Sequence, residues 1–209
     1  MIKLKFASSI AALMLIGASA APAFAVPIMG PGGNHYDFIR EEISFNDALT
    51  ESAAATFTFR GQVVSGHLAT ITRRVENDFI FDALGSGFDP WIAGSDRDEE
   101  GVWKWVAGPE AGETFWIGGV DGSTPAPGIF VDWATGEPSN TSNEDALHIT
   151  NNLTGGSWND ARVNTLGLPT GYVIEYETAG ISSIPLPATL PMLIAGLAGL
   201  GFAFRRRTS

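Results

Sequence analysis

Apolar and polar residues alternate in several short segments through the middle of the chain, and this period of two predicts β-strands. The predicted strands are His35–Ile39, Gly66–Ile71, Trp91–Gly94, one starting at Trp103, Ala146–Ile149 and Gly171–Glu177. In the last of these, Tyr172, Ile174 and Tyr176 share one face. The alternation therefore predicts a domain built on short strands.

Two further segments have helical periodicity. Ser44 is suited to cap a helix that has Asp47 in its first turn and continues to about Ala55. Its predicted inner face is Phe45, Ala48, Leu49 and Ala53. Thr72 is predicted to cap a second helix that Gly85–Gly87 ends. Its predicted inner face is Val75, Phe79, Ile80 and Ala83, with Arg73, Arg74, Glu76 and Asp78 outside.

Large aromatic residues accompany the strands. Trp103 and Trp105 lie on one face of their strand, and Trp116 and Trp133 flank the Gly/Pro-rich stretch 118–128, which predicts a long loop. An indole can stack on a sugar ring, but large aromatic residues dominate protein cores. Core packing is therefore the favoured interpretation.

The stretch Gly136–Asp160 concentrates hard oxygen donors. They are Glu137, Asn140, Asn143, Glu144, Asp145, Asn159 and Asp160. Such donors suit Ca²⁺, which takes 6–8 oxygens, whereas softer metals prefer thiolate or imidazole. Ala146–Ile149 and a Gly155-Gly156 turn separate two donor clusters, which predicts loop, strand, turn, strand. The two clusters could thus converge at one end of a small sheet.

The N-terminus has the pattern of an export signal. Residues 1–25 contain Lys3 and Lys5, an apolar run and a terminal Ala23-Phe24-Ala25, which predicts a cleavable secretory signal peptide. Residues 26–33 then form a Pro/Gly-rich linker.

The C-terminus is the second unusual end. Ile184-Pro185-Leu186-Pro187-Ala188 opens an uncharged run through Phe204, followed by Arg205–Arg207. A helix of this run would reach about 25 Å, just short of a hydrocarbon core, with the arginines on the cytoplasmic side.

Charge and cysteine content narrow the function. Five of the 12 basic residues lie in the two ends, and all 23 acidic residues lie between them. Seven bases against 23 acids give the middle a formal net charge of −16, which argues against nucleic acid and favours cations. The chain has no cysteine and thus no disulfide. His67 is interpreted as a packed or surface residue, since no second His or Cys lies at metal spacing.

Three motifs carry a family resemblance: Glu137-Pro138, Glu144-Asp145 and Trp158-Asn159-Asp160. Together with the element order they resemble the C-type lectin-like domain. The resemblance implies an α+β fold over residues 34–178, with two helices flanking small antiparallel sheets and a long loop region. It also implies that the strand 171–177 pairs with the first strand, and that Pro138 is cis.

The same resemblance implies a Ca²⁺ site that binds sugar hydroxyls. Glu137, Glu144, Asn159 and Asp160 match ligand positions of the family. Ser139 stands where the family has Asn, and the loop is one residue short, so either Ser139 or Asn140 would complete the site. The implied carbohydrate contacts are Glu137, Asn140, Glu144, Asn159 and Asp160.

Asp96 and Glu100 have two interpretations. The resemblance implies an auxiliary Ca²⁺ site formed by these acids and sharing Glu144. The alternative is an ordinary acidic surface turn at residues 96–101.

The C-terminal segment 184–209 resembles the PEP-CTERM sorting signals of Gram-negative bacteria, in the variant that begins Val-Pro-Leu-Pro-Ala, with Ile184 replacing Val. The resemblance implies a linker at 179–183, transient anchoring in the inner membrane and cleavage by an exosortase-type protease. The mature protein would then reach the cell surface or an exopolysaccharide matrix. A simple membrane tail is the alternative.

Two functions follow from these patterns. One is a Ca²⁺-dependent binding module for a glycan or exopolysaccharide, and the other is a structural or adhesion module that uses the same fold without sugar. An enzyme is not expected, because the chain contains neither an HExxH motif nor an evident Ser-His-Asp arrangement.

Overall fold

The computed structural model describes residues 26–84, 88–150 and 156–182. The predicted signal peptide, the sorting segment, the Gly85–Gly87 stop and Gly155 lie outside these residues. In chain order the elements are β1 Ile28–Met29, β2 His35–Ile39, α1 Phe45–Ala54, β3 Thr56–Phe59, β4 Gln62–Leu68, α2 Arg74–Leu84, β5 Pro90–Ser95, β6 Val102–Trp105, β7 Thr114–Ile117, β8 Ala146–Ile149, β9 Trp158–Ala161 and β10 Gly171–Tyr176.

Strand β10 organises the sheet. It pairs antiparallel with β2, placing Ile174 opposite Asp37, which confirms the predicted pairing of the first and last strands. It also pairs antiparallel with β4 and parallel with β5. Strands β6 and β7 continue from β5, while β8 pairs with both β5 and β9. The result is an α+β fold with one mixed sheet, in which the small antiparallel sheets are joined through β10 and β5.

Helix α1 begins as its sequence predicts. Ser44 is the N-cap, and its Oγ accepts a hydrogen bond from the Asp47 N–H at 3.1 Å. Phe45 and Ala48 are buried, and the Phe45 ring meets Trp91 edge-on at 5.5 Å. Ala53 is exposed, however, and Ser52 is buried in its place, so the inner face is rotated toward Ser52.

The orientation predicted for helix α2 is wrong at three positions. The helix begins at Arg74, two residues after Thr72, and Val75 and Ala83 are exposed. Glu76 is buried because its carboxylate accepts hydrogen bonds from the Tyr36 hydroxyl at 2.6 Å and the Thr72 N–H at 2.9 Å. A buried charge is tolerated when it is hydrogen-bonded, and this pairing overrides the simple apolar pattern.

The hairpin of β3 and β4 was not predicted from the sequence. Arg60 and Gly61 form its two-residue turn with φ of 50° and 81°, the left-handed conformation that such hairpins use. Strand β4 therefore starts at Gln62 rather than Gly66. At the turn, Arg60 donates to the Ile181 carbonyl at 2.8 Å, and Gln62 donates to that of Ser182 at 3.2 Å.

The tryptophans form the centre of the core, as their size predicts. Trp91, Trp103, Trp105 and Trp158 are at most 3% exposed. Trp158 also donates its indole N–H to Asn77 Oδ1 at 2.8 Å, which fixes strand β9 against α2. Trp116 and Trp133 are half-buried at the edge of this cluster. Strand β9 is thereby held rigidly, and it carries Asn159 and Asp160.

Across the three described stretches of chain, we find no helix with the length and apolar character needed to cross a bilayer. The apolar run Ala188–Phe204 lies outside them.

Candidate calcium and carbohydrate site

The predicted oxygen donors come from one long loop and one strand. Glu137, Ser139 and Asn140 lie in the loop between β7 and β8, and Glu144 lies just before β8. Pairing of β8 with β9 brings the second cluster alongside, with Leu147 opposite Asp160 and His148 opposite Asn159. We call Glu137, Ser139, Asn140, Glu144, Asn159 and Asp160 the loop site.

Asp160 anchors the loop. It is fully buried, its Oδ1 accepts the Ser139 N–H at 3.1 Å, and its Oδ2 accepts the Asn140 N–H at 2.7 Å. Each carboxylate oxygen has two acceptor sites, so the backbone contacts do not use the full acceptor capacity of the group. Asp160 therefore shapes the loop from the protein side and remains available as a ligand.

Glu137 has a buried carboxylate oxygen that lacks a hydrogen-bond partner among the described residues. Its peptide bond to Pro138 is cis, as the family resemblance implies. Its Oε2 is buried and has no hydrogen-bond partner among the described residues. Burial, together with a hydrogen bond to the Asp160 carboxyl, raises the pKa of Glu137 to about 7. A cation bound here would favour the ionised form of Glu137, since metal binding requires the deprotonated ligand.

The side chains of Ser139 and Asn140 make different contacts in the loop site. The Ser139 hydroxyl donates to Glu144 Oε2 at 3.4 Å. Asn140, with φ of 49°, accepts the Glu144 N–H on its Oδ1 at 2.8 Å and donates from Nδ2 to Glu100 Oε1 at 2.6 Å. Burial and the charge of Asp160 raise the pKa of Glu144, which favours a neighbouring cation. Both candidate residues thus lie against Glu144.

Asn159 is oriented by a histidine that the sequence did not single out as functional. Its Nδ2 lies 2.9 Å from the Asp160 carbonyl and 3.1 Å from His148 Nε2. His148 Nδ1 lies 3.1 Å from the Ile149 carbonyl, so Nδ1 carries the proton and Nε2 accepts. Burial lowers the pKa of His148, which agrees with a neutral ring. Because the nitrogen end of Asn159 is occupied, its oxygen end is the one able to face a cation.

The two auxiliary candidates are placed differently. Asp96 is 3% exposed, its Oδ2 accepts the Gly101 N–H at 2.9 Å, and its Oδ1 has no partner among the described residues. Burial, with the charges of Glu100 and Asp145, raises its pKa to about 7. Glu100 is exposed and reaches the loop site through Asn140. The turn is therefore not simply a solvated acidic surface, since its first acid points inward.

A cavity of about 240 Å³ borders the loop site. Glu144, His148, Asn159, Asp160 and Arg162 contribute to its wall. A larger cavity of about 420 Å³ is lined by residues such as Phe57, Tyr172 and Tyr176 and contains none of the predicted donors. The smaller cavity therefore borders three of the predicted donors, Glu144, Asn159 and Asp160.

A compact α+β fold whose long loop and β9 gather carboxylates and amides defines a C-type lectin-like module. The Lectin C-type domain family matches residues 61–168, more than half of the chain, and the chain belongs to that family. This is a lectin family and not an enzyme family. The PEP-CTERM protein-sorting motif matches residues 183–207.

Similar proteins agree with this placement. The chain is 32% identical to an alpha-N-acetylgalactosamine-specific lectin of Patiria pectinifera, over 61% of this chain and 67% of that protein. It is 37% identical to halomucin of Haloquadratum walsbyi over 69% of this chain, but the match spans only 1% of halomucin. Among solved structures, the C-type lectin CEL-I from Cucumaria echinata has the same fold, with a TM-score of 0.50, 21% identity and coverage of 69% of this chain and 91% of CEL-I.

Proposed function

We propose that this protein is an exported, Ca²⁺-dependent carbohydrate-binding protein that associates with cell-surface or exopolysaccharide glycans. The observation that carries the proposal is the loop site. There Asp160 accepts the Ser139 and Asn140 N–H groups, and both of those residues also contact Glu144. Glu137 holds a buried oxygen that has no hydrogen-bond partner among the described residues. The Patiria lectin, by its name, binds a sugar, and this supports the same class of ligand here.

In this proposal Glu137, Glu144, Asn159 and Asp160 hold the ion, and Ser139 or Asn140 completes the set. The donors fit Ca²⁺, because they are all carboxylate, amide or hydroxyl oxygens. The ion supplies open coordination positions for two neighbouring sugar hydroxyls. The carboxylates and amides of Glu137, Asn140, Glu144, Asn159 and Asp160 hydrogen-bond those hydroxyls and set their orientation. Asp96 and Glu100 form an auxiliary Ca²⁺ site linked to the first through Asn140.

The sorting motif at 183–207 supports export with exosortase-type processing. In the proposal, residues 1–25 direct the chain out of the cytoplasm, the tail holds it briefly in the inner membrane, and cleavage releases it to the surface or matrix.

A structural or adhesion module is the second candidate, and one observation favours it. The Ser139 and Asn140 N–H groups donate to Asp160, so protein hydrogen bonds contribute to holding the loop. The chain also has Ser139 where the family motif has Asn. A loop held by such contacts could serve as a protein-binding surface.

Thermal unfolding of the full chain in mild detergent, with Ca²⁺ or with EGTA, separates these candidates. Calcium at about 100 times its Kd should stabilise the folded state by about 2.7 kcal/mol, and Glu144→Ala should abolish that gain. Glu113→Ala, which removes an exposed glutamate outside the loop site, is the matched control and should keep it. Calcium-dependent retention on immobilised mannose or N-acetylgalactosamine would complete the assignment. A wild-type melt unchanged by millimolar Ca²⁺ would refute the calcium mechanism and leave the adhesion module.

A further inference from the structure

A second cluster of metal-type ligands lies on the paired strands β4 and β10. His67 on β4 stands directly opposite Glu175 on β10, and Glu177 follows two residues later, on the same side of the chain. One ligand atom from each of the three lies within 4.8 Å of the others. We call these residues the strand site. The sequence interpretation of His67 considered only nearby His and Cys, whereas strand pairing brings in two carboxylates from the far end of the domain.

The His67 ring is held in one orientation. Its Nδ1 lies 3.0 Å from the Leu68 carbonyl, and its Nε2 lies 3.2 Å from Glu177 Oε1. A Cβ on Gly108, which has φ of 72°, would come within 2.7 Å of the ring, so the chain at Gly108 closes over it. Metal-binding histidines typically donate one ring N–H to a backbone carbonyl and present the other nitrogen to the metal.

The two carboxylates are held side by side despite their like charge. Asn34 Nδ2 donates to Glu175 Oε1 and to Glu177 Oε2, both at 2.9 Å. The Tyr36 hydroxyl lies 3.0 Å from Glu175, which is 2% exposed. These contacts preorganise the pair in the way that supporting hydrogen bonds preorganise the ligands of metal sites.

The surroundings of the strand site carry excess negative charge. Glu76 reaches it through Tyr36, and Glu110 reaches it through Thr70 Oγ1 at 2.8 Å. Four carboxylates thus face a single imidazole. Burial and the charge of Glu76 raise the pKa of Glu175 to about 7, and the hydrogen bond from His67 lowers that of Glu177. Burial alone would lower the pKa of His67, but its hydrogen bonds to Glu177 and Leu68 outweigh burial and raise it.

We propose that His67, Glu175 and Glu177 bind a divalent transition-metal ion of the Zn²⁺ class. In a tetrahedral zinc site with bonds of about 2.0–2.2 Å, neighbouring ligand atoms lie roughly 3.3–3.5 Å apart. The 3.2 Å between His67 Nε2 and Glu177 Oε1 matches that spacing. An imidazole ligand favours zinc, copper or nickel over calcium, and three protein ligands leave a fourth position for water. Asn34 and Tyr36 are the supporting residues.

This site is separate from the loop site, and the proposal does not depend on the proposed function. The metal would join β4 to the end of β10, beside the Asn34 that precedes β2. It would thus fasten β4 to the last strand of the domain.

Isothermal titration of Zn²⁺ into the full chain, purified in detergent without a polyhistidine tag and stripped with EDTA, tests the proposal. We expect one bound Zn²⁺ per chain, with His67→Gln and Glu177→Gln each weakening binding more than about tenfold. Glu110→Gln removes a neighbouring charge but no ligand and should bind nearly as the wild type does. Glu144→Ala, in the loop site, should be unaffected.

Glu177 is 41% exposed, so its variant should fold even if the His67 variant does not, and circular dichroism checks both. Co²⁺ offers a second readout, because a tetrahedral site gives strong visible absorption that Glu177→Gln should abolish. Wild-type protein that fails to bind Zn²⁺ below about 100 μM, or Glu177→Gln protein that binds it unchanged, would overturn the proposal. A failure of the calcium experiment would leave these results standing.

Discussion

The loop site and the strand site are both acidic clusters, but their carboxylates have different hydrogen-bond partners. In the loop site, Glu137 has a buried oxygen with no hydrogen-bond partner among the described residues. Each oxygen of Asp160 accepts one backbone N–H group there. In the strand site the carboxylates have side-chain partners, and Asn34 and Tyr36 bring them together. The first arrangement suits an ion such as Ca²⁺, which binds many oxygen ligands and can leave coordination positions open. The second suits a smaller ion that is bound by few ligands in fixed positions.

Secondary structure also separates the two clusters. Four of the six loop-site residues lie on the long loop between β7 and β8, whereas the strand-site residues lie on or directly after the paired strands β4 and β10. Ligands on strands are positioned by the sheet register and those on loops by local hydrogen bonds. The comparison predicts that single substitutions disturb the loop site through its backbone contacts and the strand site through its side-chain contacts.

Asp160→Asn should have the largest effect. The new amide nitrogen would face a backbone N–H, so unfolding free energy in EGTA should fall by about 1–3 kcal/mol. The calcium-dependent gain of about 2.7 kcal/mol at 100 times Kd should disappear as well. Urea denaturation with and without Ca²⁺ measures both losses. The same change at exposed Asp121 is the control and should cost nothing measurable. Unchanged stability in EGTA would mean that Asp160 does not hold the loop.

Tyr36→Phe should destabilise the strand site. It removes the hydroxyl that contacts both Glu76 and Glu175 and leaves two buried carboxylates short of a partner. We expect a loss of about 1–3 kcal/mol in urea denaturation and a Zn²⁺ affinity lowered by about 10- to 100-fold. Tyr172→Phe, at another buried tyrosine of the sheet, serves as the comparison. Equal effects of the two variants would argue against a special role for the Tyr36 hydroxyl.

His148→Leu should weaken calcium binding with little effect on the fold. It removes the acceptor that holds the nitrogen end of Asn159, so the amide can rotate its oxygen away. Loss of such a supporting contact typically lowers metal affinity by about 10- to 100-fold. A calcium titration, monitored through the melting temperature, measures the change in calcium affinity. Zn²⁺ binding should be unchanged. Retained calcium affinity would show that Asn159 is oriented by other contacts.

A pH dependence of the metal-free protein is also expected. The pKa values of Asp96, Glu137 and Glu175 are each raised to about 7, from ordinary values near 4. The folded state therefore binds more protons than the unfolded state between these values, and stability should fall as pH rises from about 4.5 to 7. The lowered pKa of Glu177 acts mainly below this window. Urea midpoints across pH should show the fall in EGTA and less of it with Ca²⁺. The lowered pKa of His148 acts in the opposite sense within this window, so a net rise would mean that the three carboxyl groups do not outweigh it.

Local patterns predicted much of the fold. Ser44 and Asp47 are three residues apart, so their cap could be recognised without tertiary information. The strand at Gly171–Tyr176 was visible from alternation, and the family motifs picked out Glu137, Glu144, Asn159 and Asp160. The structure brings these four residues together, and their roles as ligands stay predictions.

What the sequence could not predict depends on partners far along the chain. Glu76 was assigned to the outer face of α2 because a helical pattern treats glutamate as a surface residue. Its burial requires Tyr36, 40 residues earlier. The meeting of His67 with Glu177 depends on a pairing across 110 residues, which no local spacing reveals. In the sequence His148 is one residue of an alternating strand, and its contact with Asn159 depends on the pairing of β8 with β9.

The hairpin of β3 and β4 has a consequence for how the domain is delivered. Arg60 and Gln62 hold the carbonyls of Ile181 and Ser182, and the sorting motif starts at residue 183. The folded domain therefore holds the chain up to residue 182, directly before the sorting motif. A protease acting at that motif would work against the body of the domain, so the hairpin tip becomes part of the surface that the protease has to accommodate.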